Sequence, residues 1–169
     1  MRNMDSINLF DAHAYFKSLC ARNKLAMANK FYPCSCSGID SLEDVVSNIR
    51  TQSAFCCVDD TNDSVVEQIN GGYFNHRVFT VFLLKRYKLN DMADRQSALS
   101  ICRQLFRQFH SRLIIDKENL NNELIYLNTE RIPSREIGKY FMGGCTGLYF
   151  MVDVQEPTQL IYNKDEWSE

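Results

Sequence analysis

Residues 77–87, RVFTVFLLKRY, followed at 91–113 by DMADRQSALSICRQLFRQFHSRL, decide how this chain folds. In the first run Val78, Thr80, Phe82 and Leu84 alternate with Phe79, Val81 and Leu83. Both sides are apolar, as in a central strand covered on both faces or one covered by a neighbouring subunit. In the second run the period lengthens. Met92, Arg95, Leu99, Cys102, Phe106, Phe109 and Leu113 recur at three- and four-residue intervals, which marks an amphipathic helix. Arg95 is the polar member of that stripe, and Asn90 or Asp91 supplies the N-cap. Asp94, Ser97, Arg103, Arg107 and Ser111 occupy the opposite side and are expected to meet solvent or a partner.

Toward the N-terminus, residues 6–30 read as a helix with Ser6 as N-cap and Leu9, Phe16, Leu19 and Cys20 at roughly helical spacing. Phe31-Tyr32-Pro33 is expected to end it, because the residue before proline disfavours the α region. CSCSG at 34–38 reads as a connector. A short helix follows, with Asp40 and Glu43 at capping-box spacing and Leu42, Val45, Val46 and Ile49 on one face. Residues 52–59 read as a strand, 59–63 as an Asp-rich turn, and 64–69 as a further strand closed by Asn70-Gly71-Gly72.

Toward the C-terminus, 117–122 reads as a polar connector and 123–128 as a strand. Residues 132–138 read as irregular with room for one turn of helix, and Gly143-Gly144-Cys145-Thr146-Gly147 as a tight loop. At 148–154 Leu148, Phe150, Val152 and Val154 alternate with Tyr149, Met151 and Asp153, a clear strand pattern. The lone Trp167 is expected to pack back on the domain. This order of elements predicts a single α+β domain over 1–169, with an N-terminal helix at 1–33 and a sheet-and-helix core at 40–169. The sheet should be mainly antiparallel, with helices packed largely on one face.

Composition narrows the function classes. A chain of 169 residues with 45% hydrophobic and 24% charged residues can build a sizeable core and is not of a disordered type. The formal net charge of −2 lacks the basic excess typical of nucleic-acid binders. No apolar run exceeds five residues, far short of a membrane span. The opening MRNMDSINLFDAHAYF has no apolar signal core, so the expected location is cytoplasmic. Seven cysteines, an odd number, are then expected to be reduced thiols, many of them buried as small apolar residues.

Few patterns carry chemistry. Cys34 and Cys36 form a C-x-C pair, half of what zinc requires, and no second ligand pair accompanies it. Cys56 and Cys57 alternate faces in a strand and do not supply that second pair. His13, His76 and His110 are available as bases for a cysteine nucleophile, but no local signature couples them. Asp59, Asp60 and Asp63 lack the glycine and distal glutamate of a calcium loop. The glycines at 143–147 lead into a strand and not a helix, unlike a phosphate-binding loop. No metal, cofactor or catalytic residue is assigned. The basic group Arg103, Arg107, His110 and Arg112, with Asp94, forms a candidate surface for a second copy or a partner.

The succession RVFTVFLLKRY, DMADRQSALSICRQLFRQFHSRL and TGLYFMVDV resembles small phage or prophage tail-terminator, tail-completion and neck proteins. The closing GLYFMVDVQEPTQLIYNKDEW is similar to the ends of prophage-type proteins from gut Bacteroides-like bacteria. The resemblance covers roughly residues 40–169 and rests on element order. It implies a non-enzymatic structural subunit, commonly a hexameric ring, that meets a tail-tube or connector protein and has DNA only as channel contents. Such a subunit would assemble in the cytoplasm and end in the virion tail. A ring needs a head-to-tail interface. The candidates are the exposed side of the 91–113 helix with Arg103, Arg107, His110 and Asp94, and the loops near 60–72 and 143–147. The alternatives are a small cysteine-dependent enzyme or metal-binding protein, for which Cys34 and Cys36 are the candidate thiols, and a protein-binding regulatory module.

Overall fold

A computed structural model describes residues 9–138 and 144–168. Helices α1 (Ala12–Arg22) and α2 (Lys24–Ala28) lead into strand β1 (Phe31–Cys36), helix α3 (Gly38–Asn48) and strands β2 (Ala54–Asp59), β3 (Asp63–Ile69) and β4 (Gly72–Arg86). Helix α4 (Met92–Asn122) follows, then β5 (Tyr126–Leu127), β6 (Ser134–Ile137), β7 (Cys145–Pro157) and a 3₁₀ turn at Lys164–Glu166. The seven strands form one sheet in the order β1-β2-β4-β7-β5, with β3 beside β4 and β6 beside β7. β1 and β2 are parallel, and every other pairing is antiparallel. The α+β class and the mainly antiparallel sheet are as the sequence predicts.

β4 is central, and its two apolar faces are both covered within the one chain. Phe79, Val81 and Leu83 join a core with Phe16 and Leu19 of α1, Ala26 of α2 and Leu105, Phe109 and Leu113 of α4. Phe82 and Leu84 join a second core with Leu42 and Val46 of α3. Three helices thus lie on one face and α3 on the other. Arg86 ties α3 down: Nη2 donates to Val46 O at 2.6 Å and Nε to Gln52 O at 3.0 Å. The first of these bonds satisfies a carbonyl of the last turn of α3 that lacks an intrahelical partner.

Several local expectations change. The first helix begins at Ala12, capped by Asp11, whose side chain accepts from Ala14 N at 2.9 Å. Ser6, the expected cap, lies outside the described residues. That helix is broken at Asn23, which caps α2, and Lys30 turns the chain at φ 54°. Cys34 and Cys36 are not in a connector, because β1 runs through Pro33. Proline is tolerated there since β1 is an edge strand. The long helix continues to Asn122 through the stretch expected to be a connector. Residues 134–137 form β6, and the loop expected at 143–147 is β7 from Cys145 onward, Gly143 lying outside the described residues. Trp167 does not return to the core. It is 61% exposed and stacks on Tyr162, with ring centroids 6.1 Å apart.

Between β2 and β3 the chain inserts Asp59–Asn62 opposite Phe79 and Thr80, so β3 continues along β4 past a bulge. Asp59 Oδ1 builds this corner, accepting from Thr61 N at 2.9 Å and Gly38 N at 3.0 Å. Asp60 Oδ2 accepts from Ser37 Oγ at 2.9 Å.

Candidate functional site

The predicted surface group is divided by the fold. Asp94 sits in the first turn of α4, where Oδ2 accepts from Lys88 N at 2.7 Å and its own N–H donates to the Asp91 cap at 3.0 Å. Arg103 lies nine residues on, about two and a half turns, and therefore points away from Asp94. Arg103 forms a two-pronged bond with Glu136 of β6, Nε to Oε1 at 2.6 Å and Nη2 to Oε2 at 2.8 Å. The pair holds the Glu136 carboxyl below the usual range. Both partners are about half exposed, so the link gives orientation more than stability. His110 Nε2 donates to Thr129 O at 2.8 Å, and its ring stacks on Phe106. Arg107 is exposed on the same side of the helix. Arg112 pairs with Asp116 at 2.7 Å, where Tyr15 Oη also donates at 2.9 Å. Arg103, Arg107 and His110 therefore share a face, while Asp94 and Arg112 stabilise the helix and its contact with α1.

The cysteines are organised around β2. All seven are free and buried. Cys56 belongs to the core under α1 and α4, where its thiol hydrogen-bonds that of Cys20. Cys57 belongs to the core under α3, where it hydrogen-bonds the thiols of both Cys34 and Cys36. The adjacent cysteines of one strand thus each meet a thiol of another element, on opposite faces. The hydrogen bond from Cys57 holds the Cys34 thiol below its ordinary range against the effect of burial. Cys57 is pushed up by the same bonds and by burial. Cys102 is pushed up to about 12, chiefly by burial. Among the described residues no group of three or more His, Cys, Asp or Glu is placed to hold a metal ion. The sequence singles out Cys34 and Cys36 but misses Cys57 as their partner, because the register of β1 on β2 is not written in either segment.

A third feature carries no titrating cluster. β3 pairs with β4 alone among the described residues, and six of its seven residues are exposed. Val65 is 63% exposed and Val66 49%, and no β3 residue belongs to either core. β7 ends beside this ribbon, where Thr158 N donates to Tyr73 O at 2.9 Å. The tail that follows exposes Leu160, Ile161, Tyr162 and Trp167. An unpaired strand edge and an uncovered apolar tail therefore leave the same end of the sheet.

No described helix is long and apolar enough to cross a membrane. No family model matches the chain, and no curated protein is significantly similar to it in sequence.

Proposed function

We propose that this chain is a non-enzymatic structural subunit that assembles with copies of itself, as a phage or prophage tail-terminator, tail-completion or neck protein does. The carrying observation is the β3 ribbon. Among the described residues its outer edge is unpaired over seven residues, and Val65 and Val66 are exposed beside it. Unpaired N–H and C=O groups in such a row are a template for a strand from another chain. The apolar tail at the same end adds surface that a neighbour would cover. β4 lends no support, since its own helices cover both of its apolar faces. The resemblance in element order supplies the tail or neck setting and a cytoplasmic site of assembly, with a tail-tube or connector protein as the further partner.

Light scattering on the purified chain, with negative-stain images of the same peak, tests the reading. Closed rings of about six copies, alone or after addition of a tail-tube protein, are expected. A monomer that stays monomeric at every concentration and with tube protein present would overturn it.

A further inference from the structure

We propose that Cys34 and Cys57 are an oxidation site that a hydroperoxide converts to a disulfide across β1 and β2. The inference is independent of the assembly reading and rests on register. Cys34 and Cys57 are direct partners in the parallel pairing of β1 with β2. Neighbouring strands lie about 4.8 Å apart, inside the Cα separation of about 4.4–6.8 Å that a disulfide spans. Cys36 is two residues further along β1, opposite Asp59. Its Cα is then about 8 Å from that of Cys57 by strand geometry, beyond reach without movement of the backbone. Both side chains of the chosen pair enter the α3 core, where their thiols already share a hydrogen bond.

The two thiols have different roles. Cys34 lies on the edge strand and is 8% exposed, whereas Cys57 is fully buried. Thiolate character and access decide which sulfur meets an oxidant first, and both favour Cys34. Cys34 Sγ attacks a peroxide oxygen and the O–O bond breaks. The alkoxide, or hydroxide from hydrogen peroxide, leaves with the thiol proton as an alcohol or water, and Cys34 becomes the sulfenic acid. Cys57 Sγ then attacks Cys34 Sγ and the S–O bond breaks. The departing hydroxide takes the Cys57 proton and leaves as water. Two thiols are oxidised to one disulfide while one peroxide bond is reduced by two electrons. The product staples the edge strand β1 to β2, and a thiol reductant reverses it.

The test exposes the reduced full-length chain to hydrogen peroxide at a small molar excess, under conditions where its far-UV dichroism is unchanged. Free thiols are then alkylated and the peptides mapped. Loss of two of the seven thiols, a mass loss of two hydrogens, a Cys34–Cys57 linked peptide and full recovery with dithiothreitol are expected. Cys57→Ala should stop at the sulfenic acid, trapped by dimedone at Cys34. Cys36→Ala should leave the cross-link intact. A first cross-link between Cys20 and Cys56, direct conversion of Cys34 to the sulfinic acid with Cys57 still alkylatable, or seven unreacted thiols would each overturn the proposal. The wild-type map and Cys36→Ala decide the matter even if Cys57→Ala does not fold.

Discussion

At Gly147 the backbone of β7 passes so close to β4 that a Cβ would lie 1.9 Å from Leu83 O and 2.9 Å from Leu83 C. Neither atom belongs to a side chain that can swing away, so the two central strands would have to separate. Gly147→Ala is therefore expected to cost at least about 3 kcal/mol, read as a lower urea midpoint. Glu156 is a second such position. It is 1% exposed and accepts from Arg77 Nε and Nη2, both at 2.9 Å. It also accepts from Phe10 N, while Arg77 Nη2 donates to Phe10 O at 3.0 Å, so the pair fastens the start of the described chain to β4 and β7. Glu156→Ala leaves Arg77 largely buried without its counter-ion, for an expected loss of about 3 kcal/mol by the same measurement. Asp116 carries a pH dependence. Burial raises its pKa, but the bonds from Arg112 and Tyr15 outweigh this and the net shift is downward. A carboxyl lowered by folding stabilises the native state above its unfolded pKa of about 3.9, and that contribution fades as pH falls through the folded value. The difference in urea midpoint between pH 6 and pH 3 should accordingly shrink in Asp116→Asn.

At the scale of elements, α4 shows what a cap does. Asp91 accepts from Asp94 N, and Asp91→Ala should cost about 1 kcal/mol of stability. Asp94→Ala should likewise lower the melting temperature and leave any self-association unchanged, since its carboxylate holds Lys88 N and faces away from Arg103. The cap, the central strand and the strand from Leu148 onward were legible because each is announced locally, by a side-chain oxygen before a helix or by two-residue alternation. The rest depends on partners distant in sequence. The stripe of α4 continues through Asp116 and Leu120, but Asp116 is a carboxylate, and only Tyr15 of α1 together with Arg112 makes a buried acid tolerable there. Likewise Leu105 is fully buried while Met92 is 48% exposed, so the covered arc is shifted from the stripe read at the helix start. β1 was hidden by Pro33, which signals a break unless the strand is known to lie at an edge. β6 offers only Ile137 as an inward residue and so has no alternation to read. The thiol pair was half legible for the same reason: Cys34 is visible in its motif, and Cys57 joins it only through strand register.

For the whole molecule the decisive question is what covers the end of the sheet where β3 and the tail emerge. The two cores are closed on both faces of β4, and this end of the sheet exposes Val65, Val66, Tyr73 and the tail residues Leu160, Ile161, Tyr162 and Trp167. Substitutions at exposed positions usually change stability by no more than about 0.5 kcal/mol, while lysine on a strand edge opposes pairing with another chain. The double variant Val65→Lys, Val66→Lys is therefore expected to melt within a few degrees of the wild type yet fail to form higher assemblies, as read by light scattering. Truncation after Pro157 separates the two contributors. Loss of assembly in the truncated chain alone would make the tail the contact and β3 a bystander. Loss in both variants would mean that edge and tail form one interface, as expected if the tail of one copy lies against the β3 edge of the next. That arrangement is head-to-tail, so the same rotation repeats from copy to copy and closes a ring when it divides a full turn. Two-fold pairing of β3 with β3 would stop at a dimer instead, and the mass of the wild-type particle distinguishes the two.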